Sequence, residues 1–169
     1  MIVHAASPFI RASLTETTLA EWRQVMGVLV ESFLLLAQGL TPHMIEKDEG
    51  CMIAILDRGV YDPWPQYLAH GVGKSALWAL ARTLAVELAP QVRVNGIVPG
   101  PVLPPAALSQ RVKKRLADDT LLGRWGDPQD VAQAVSFLIH SEYVTGEVLF
   151  IDGGERWAHR RPKPKGEQP

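Results

Sequence analysis

One cysteine in 169 residues, Cys51, excludes an internal disulfide, and its place in the apolar run CMIAIL reads as a small buried side chain. That usage fits a reducing compartment, so a cytoplasmic location is expected. An excess of charge of one sign is also missing: Lys+Arg 17 against Asp+Glu 18 leaves a net charge of -1. A nucleic-acid partner held by phosphate neutralisation needs a strongly basic face, and that class is set aside. The opening MIVHAASPFIRASL carries no basic segment ahead of a long apolar one, and no window holds the roughly 18 uninterrupted apolar residues that span a bilayer. Neither targeting nor a membrane partner is expected. No internal repeat is evident.

The composition, 47% hydrophobic and 21% charged, suits one soluble globular domain with a real core. Short apolar runs alternate with longer amphipathic stretches. MIVHAA, GCMIAILD, QVRVNGIVP and GEVLFID read as four strands. TLAEWRQVMGVLVESFLLLAQGLTPHMIEK holds helical spacing for some seven turns, and Tyr67 to Leu88 forms an Ala/Leu-rich helix that stops before Pro90. A polar helix is expected near Ser109 to Asp118, and another from the N-cap and N1 pair Asp127-Pro128 to about His140. Strands separated by helices make βαβ units, hence an α/β fold with a parallel sheet flanked by helices. Residues 1–155 form the expected domain, and 156–169 a basic, Pro-rich tail with a frayed end.

The stretch GVGKSAL, residues 71–77, invites a phosphate-loop reading. Such a loop needs GxxxxGK[ST] between a strand and a helix, so that backbone N–H groups curl around the phosphates. The first glycine would fall at Leu68, and the preceding YDPWPQYLA holds Pro63 and Pro65 and makes no buried strand. Gly71 and Gly73 are instead expected inside a helix, where each is costly unless close packing compensates.

A different pattern fits better. Lys74, TLAVELAPQVRVNGIVPG, LLGRWGDPQDVAQAVSFLI and VTGEVLFIDGG follow one another in the order and spacing of the short-chain dehydrogenase/reductase family, whose active-site helix carries YxxxK. IVHAAS is similar to that family's LVNNAG/S strand end, and WRQVMGVLVESFLLLAQGLTPHM to its long helix. The resemblance runs from Ile2 to about Gly154 and implies the last four strands of a Rossmann-type fold, with no Gly-rich βαβ unit before them. It implies NAD(P)H-dependent hydride transfer to a carbonyl or C=N bond of a small-molecule substrate, and a homo-oligomer joined through two long helices, about Leu19 to Glu46 and Tyr67 to Leu88.

The site follows residue by residue. The tyrosine of YxxxK is replaced by His70, whose i, i+4 spacing sets it on one helical face with Lys74; an imidazole can donate a proton near neutrality. The alternative is a tolerated helix residue in an inactive chain. The family serine, thirteen residues earlier, corresponds to Asp57, which resembles the pteridine-reductase branch, where the carboxyl helps relay the proton to the substrate; a turn-forming aspartate is the other reading. Lys74 corresponds to the ribose-binding lysine, or snorkels to solvent. The helix asparagine of the relay would fall near Val28 or Leu29, both apolar. Pro99, Gly100 and Val102 resemble the segment that meets the nicotinamide carboxamide, while Pro104 stands where a threonine often follows. Asp57, Tyr67 and Asn95 are the expected substrate-side residues, although Tyr67 lies about 10 Å along the helix from Lys74 and Asn95 could simply end a strand. Asp152-Gly153-Gly154 reads as a structural turn. A catalytically silent assembly partner and a fragment of a longer reductase remain open beside the enzyme.

Overall fold

The computed structural model describes residues 1–160. Strands β1 (Ile2–His4), β2 (Gly50–Ile55), β3 (Val92–Pro99) and β4 (Val148–Ile151) form a sheet in that order. All pairs are parallel, with Ile2 beside Met52, Ile53 beside Asn95, and Ile97 beside Leu149. Parallel neighbours need long crossovers, and helices supply them. α1 (Leu19–Met26) passes through a π turn, Gly27–Glu31, into α2 (Ser32–Glu46); α3 is Leu68–Glu87, α4 Gln110–Asp118 and α5 Pro128–His140.

The helix starts are written locally. Thr18 caps α1 in a reciprocal capping box with Glu21, Ser109 caps α4, and Asp127 caps α5 with Asp130 answering and Pro128 in the first turn. Each cap satisfies backbone donors that have no intrahelical partner, worth about 1 kcal/mol apiece.

Because the sheet is covered on both faces, β2 is apolar throughout, and β3 is apolar except at Arg93 and Asn95. Met52, Ala54, Val94 and Val98 pack against Phe33 and Ala37 of α2 and Leu77 and Ala81 of α3. Cys51, Ile53 and Ile97 meet Ala134 and Leu138 of α5 on the other side. Fully burying such a Leu, Ile or Phe is worth about 1.5–3 kcal/mol. The stretch Leu19–Glu46, 28 residues, is long and apolar enough by composition to cross a membrane. Here its stripe Val25, Leu29, Phe33, Ala37 and Met44 is buried against α3 and the sheet.

Four expectations need adjusting. β1 is shorter than MIVHAA, because the chain leaves the sheet after His4 to form a loop. The first long helix is not one regular helix, since the π turn inserts an extra residue near Gly27. The helix expected from Tyr67 begins at Leu68, with Tyr67 at its N-cap making no side-chain cap. Residues 155–160 of the boundary and tail wind into a 3-10 turn, Arg156 lying 3.5 Å from the Phe150 ring centroid; residues 161–169 lie outside the described residues.

GVGKSAL is helix, as expected. A Cβ built at Gly73 would lie 2.7 Å from Leu29 Cδ1 and 3.2 Å from Val25 Cγ1, so α1, the π turn and α3 touch at this glycine. At Gly71 nothing lies within 4 Å.

Candidate active site

β2 ends by delivering Asp57 to the carboxyl edge of the sheet. Its Oδ1 accepts from Gly59 N at 2.8 Å, closing the 3-10 turn Arg58–Val60. Its Oδ2 meets His70 Nε2 in a short contact, while His70 Nδ1 lies 3.0 Å from the carbonyl of Pro8. The first turn of α3 therefore puts His70 against both the strand end and the loop that follows β1.

Both ring nitrogens of His70 face acceptors. A neutral imidazole has one N–H, and an ionised carboxylate has none. Satisfying both contacts takes two protons, one on Nδ1 for Pro8 O and one between Nε2 and Oδ2. The side chains differ in access, 18% exposed for Asp57 and 3% for His70. Asp57 is the member that the surroundings can reach.

Lys74, one turn further along α3, is buried and donates to Ile55 O at 2.8 Å. Burial pushes its pKa down, and the nearby Asp57 charge opposes that shift. Snorkelling is thereby corrected: the ammonium turns inward.

The loop after β1 covers the His70 side of the pair. Phe9 sits edge-on to His70 with centroids 4.8 Å apart and stacks on Tyr67 at 4.5 Å, and Trp64 meets both at 6.1 and 6.2 Å. Ala12 N donates to Gln66 O at 2.8 Å, pinning the far end of the loop. Tyr67 therefore belongs to an aromatic cover over the pair. Neither Pro8 nor Phe9 was flagged from sequence, because the loop has no periodicity and its contacts come from the tertiary fold.

Asn95 corrects another expectation. It is 1% exposed, donates to Val144 O at 2.9 Å and accepts from Glu147 N at 3.1 Å. Its neighbour Ile53 packs toward α5, whereas Lys74 lies on the other side of the sheet. The amide ties β3 to the segment before β4 and takes no part in the Asp57–His70 site. The turn Asp152-Gly153-Gly154 is structural, with φ 58° and 77° at its glycines.

Residues 1–155 match the family model described as enoyl-(acyl carrier protein) reductase, and the chain belongs to this short-chain dehydrogenase/reductase family. Dehydrogenase/reductase SDR family member 4 of Sus scrofa is 31% identical over 157 residues, covering 89% of this chain and 56% of that protein. The 5-keto-D-gluconate 5-reductase of Escherichia coli K12 is 32% identical, covering 91% and 63%. A gluconate 5-dehydrogenase from Burkholderia cenocepacia, solved with NADP and tartrate, superposes with TM-score 0.85 at 28% identity, covering 92% of this chain and 64% of that one. FolM alternative dihydrofolate reductase 1 from Brucella canis, solved with NADP, gives 0.85 at 27% identity, covering 99% and 66%. The chain thus spans a little over half the length of the first of these relatives.

The residues implied for NAD(P)H do not form a dinucleotide cradle among the described residues. A Cβ at Gly100 would lie 2.6 Å from Asp152 Cα, so the space that a glycine opens there is filled by the chain's own turn. Val102 leans on Gly126, Pro99 pairs with Ile151, and one donor of the Lys74 ammonium is held by Ile55 O. A recess of about 510 Å³ beside Val102 is lined by Arg124, Asp130 and Asp152, not by Asp57, His70 or Lys74.

Proposed function

We propose that the chain carries the proton-donating part of a short-chain dehydrogenase/reductase centre, with Asp57 as the acid that faces a small-molecule carbonyl or C=N group. The observation that carries this reading is the double engagement of His70 by Pro8 O and Asp57, which leaves Asp57 as the accessible end of the pair. The order is the reverse of the sequence expectation, in which His70 gives the proton and Asp57 relays it. Asp57 transfers its proton to the substrate oxygen or nitrogen. His70 then stands with Nδ1–H on Pro8 O and an Nε2 lone pair against a carboxylate, an arrangement of two facing acceptors that a proton from solvent relieves. Lys74 helps the transfer by stabilising the carboxylate left behind.

An aspartate in this place, together with the likeness to the Brucella canis dihydrofolate reductase, favours a pteridine-like C=N substrate. The hydride that completes the reduction comes in this family from NADH or NADPH, and no residue of this chain is assigned to it.

The inward-turned Lys74 and the aromatic cover favour a second reading, a catalytically silent partner of a longer reductase. Turnover of NADPH and NADH with dihydropteridines and small ketones separates the two. Under the first reading Asp57→Asn lowers kcat by roughly 10²-fold or more, the usual scale for a general acid. His70→Phe, which keeps the carboxyl, lowers it less and alters the pH profile. Asp57→Asn turning over at the parent rate would remove Asp57 from the chemistry, and a parent with no turnover under any condition selects the silent partner.

A further inference from the structure

His4 is a polar residue at the end of an apolar strand, and the proton-donating pair makes no use of it. It is 4% exposed, its ring lies 5.3 Å from Phe33, and its Nε2 is 2.7 Å from Ser32 Oγ. Ser32 Oγ donates its own hydrogen to Val28 O at 2.6 Å, within the π turn, so the hydroxyl oxygen must accept from His4. The ring is then the Nε2–H tautomer, and burial, helped by the Lys74 charge and opposed by the Val28 carbonyl, lowers its pKa and keeps it neutral. Nδ1 is left as a buried acceptor that no described group reaches. Buried acceptors in native proteins find a partner, protein or water.

The sheet register says where that partner lies. His4 pairs with Ala54, whose side chain belongs to the core under α2 and α3. The next carbonyl along β2, Ile55 O, is the one that Lys74 grips from α3. An ammonium has three donors, and Ile55 O takes one. His4 and Lys74 thus lie on one face of two adjacent strands, near enough for the Lys74 charge to act on the imidazole, a buried acceptor and a buried donor with complementary needs.

We propose that His4 Nδ1 accepts from Lys74 through one buried water, so that Ser32, by fixing the His4 tautomer, and His4 together aim the Lys74 ammonium. His4 is in this sense a positioning residue, reaching the site through lysine. The π turn has a part in it, since it sets the serine hydroxyl and the Val28 carbonyl where the strand histidine can use them. The inference does not depend on which residue protonates the substrate.

Nitrogen-15 NMR of the histidine rings in the full chain tests this without any turnover. The parent is expected to show His4 as the Nε2–H tautomer, with an Nδ1 shift displaced toward that of a hydrogen-bonded acceptor. Lys74→Met should return that shift to the value of a free acceptor, and Ser32→Ala should abolish the tautomer preference. A high-resolution crystal structure of the parent adds a measurement that needs no variant, an ordered water within hydrogen-bond distance of both Nδ1 and Nζ. A protonated Nδ1 in the parent, or a dry gap between the two nitrogens, overturns the proposal. Because no activity is read, a failure here leaves the Asp57 assignment standing, and loss of that assignment leaves this one.

Discussion

Replacing Gly71 and Gly73 separately by alanine should change stability in opposite directions. Both sit inside α3, and neither has a positive φ, so each alanine gains about 1 kcal/mol from helix propensity. At Gly71 the new methyl meets nothing within 4 Å, and the gain stands. At Gly73 it would lie 2.7 Å from Leu29 Cδ1 and 3.2 Å from Val25 Cγ1, and both partners are 0% exposed, with no room to retreat. Overpacking of this kind costs about 1–3 kcal/mol. The net for Gly73→Ala therefore runs from about zero to 2 kcal/mol destabilising, and the gap between the two variants is the overpacking itself, about 1–3 kcal/mol. At about 2–4 °C per kcal/mol for a chain of this size, the midpoints should differ by several degrees in a thermal melt. Equal shifts would refute the close contact at Gly73. Gly71→Ala as the more damaging of the two would contradict the helix and return the stretch to a loop whose glycines serve their backbone conformation.

Lys74 should leave a signature in alkali. Burial lowers its pKa below the unfolded value of 10.5, so between the two values the unfolded chain holds the extra proton and stability rises with pH. Urea titrations from pH 8 to 10.5 should show this rise lost in Lys74→Met, and parallel curves would place the ammonium in solvent. Titration calorimetry with NADH and NADPH is expected to give dissociation constants above about 10 µM, weaker than roughly 7 kcal/mol; tighter binding would reveal a cradle the described residues do not form. The chain is also expected to associate, through exposed Leu35 and Leu40 of α2 and Val86 of α3 and through the unpaired outer edge of β1. Light scattering at micromolar concentration checks this, with Leu35→Lys shifting the population toward monomer, and a stable parent monomer would refute it.

The elements that could be read from the chain are those with a strong local signal. Asp127-Pro128 marks the start of α5 because cap and first-turn chemistry depend on neighbours alone, and the apolar run CMIAIL reads as β2 because both of its faces are covered. His70 and Lys74 could be paired from helical spacing. The direction in which each side chain is used was not legible. Asn95 looks like a site residue in VRVNGI, yet strand alternation puts it on the far side of the sheet, a fact that requires the register with β2. The inversion of roles proposed for Asp57 and His70 has a related reason, since Pro8 reaches His70 across 62 positions of sequence. The one hint of the His4–Ser32 contact was a polar residue in each of two otherwise apolar segments.

The all-parallel order of the sheet has a bearing on how the protein is made. Ile2 cannot find Met52 until fifty more residues have been synthesised, an interval of about 2–10 s at the usual rate of translation. During that interval the apolar stretch Leu19–Glu46 leaves the ribosome with no sheet to pack on, and β3 follows only after α3 is complete. A nascent chain with this topology is a client for whatever holds apolar helices during synthesis, and its yield should respond to the supply of such holdases more than to the stability of the finished fold.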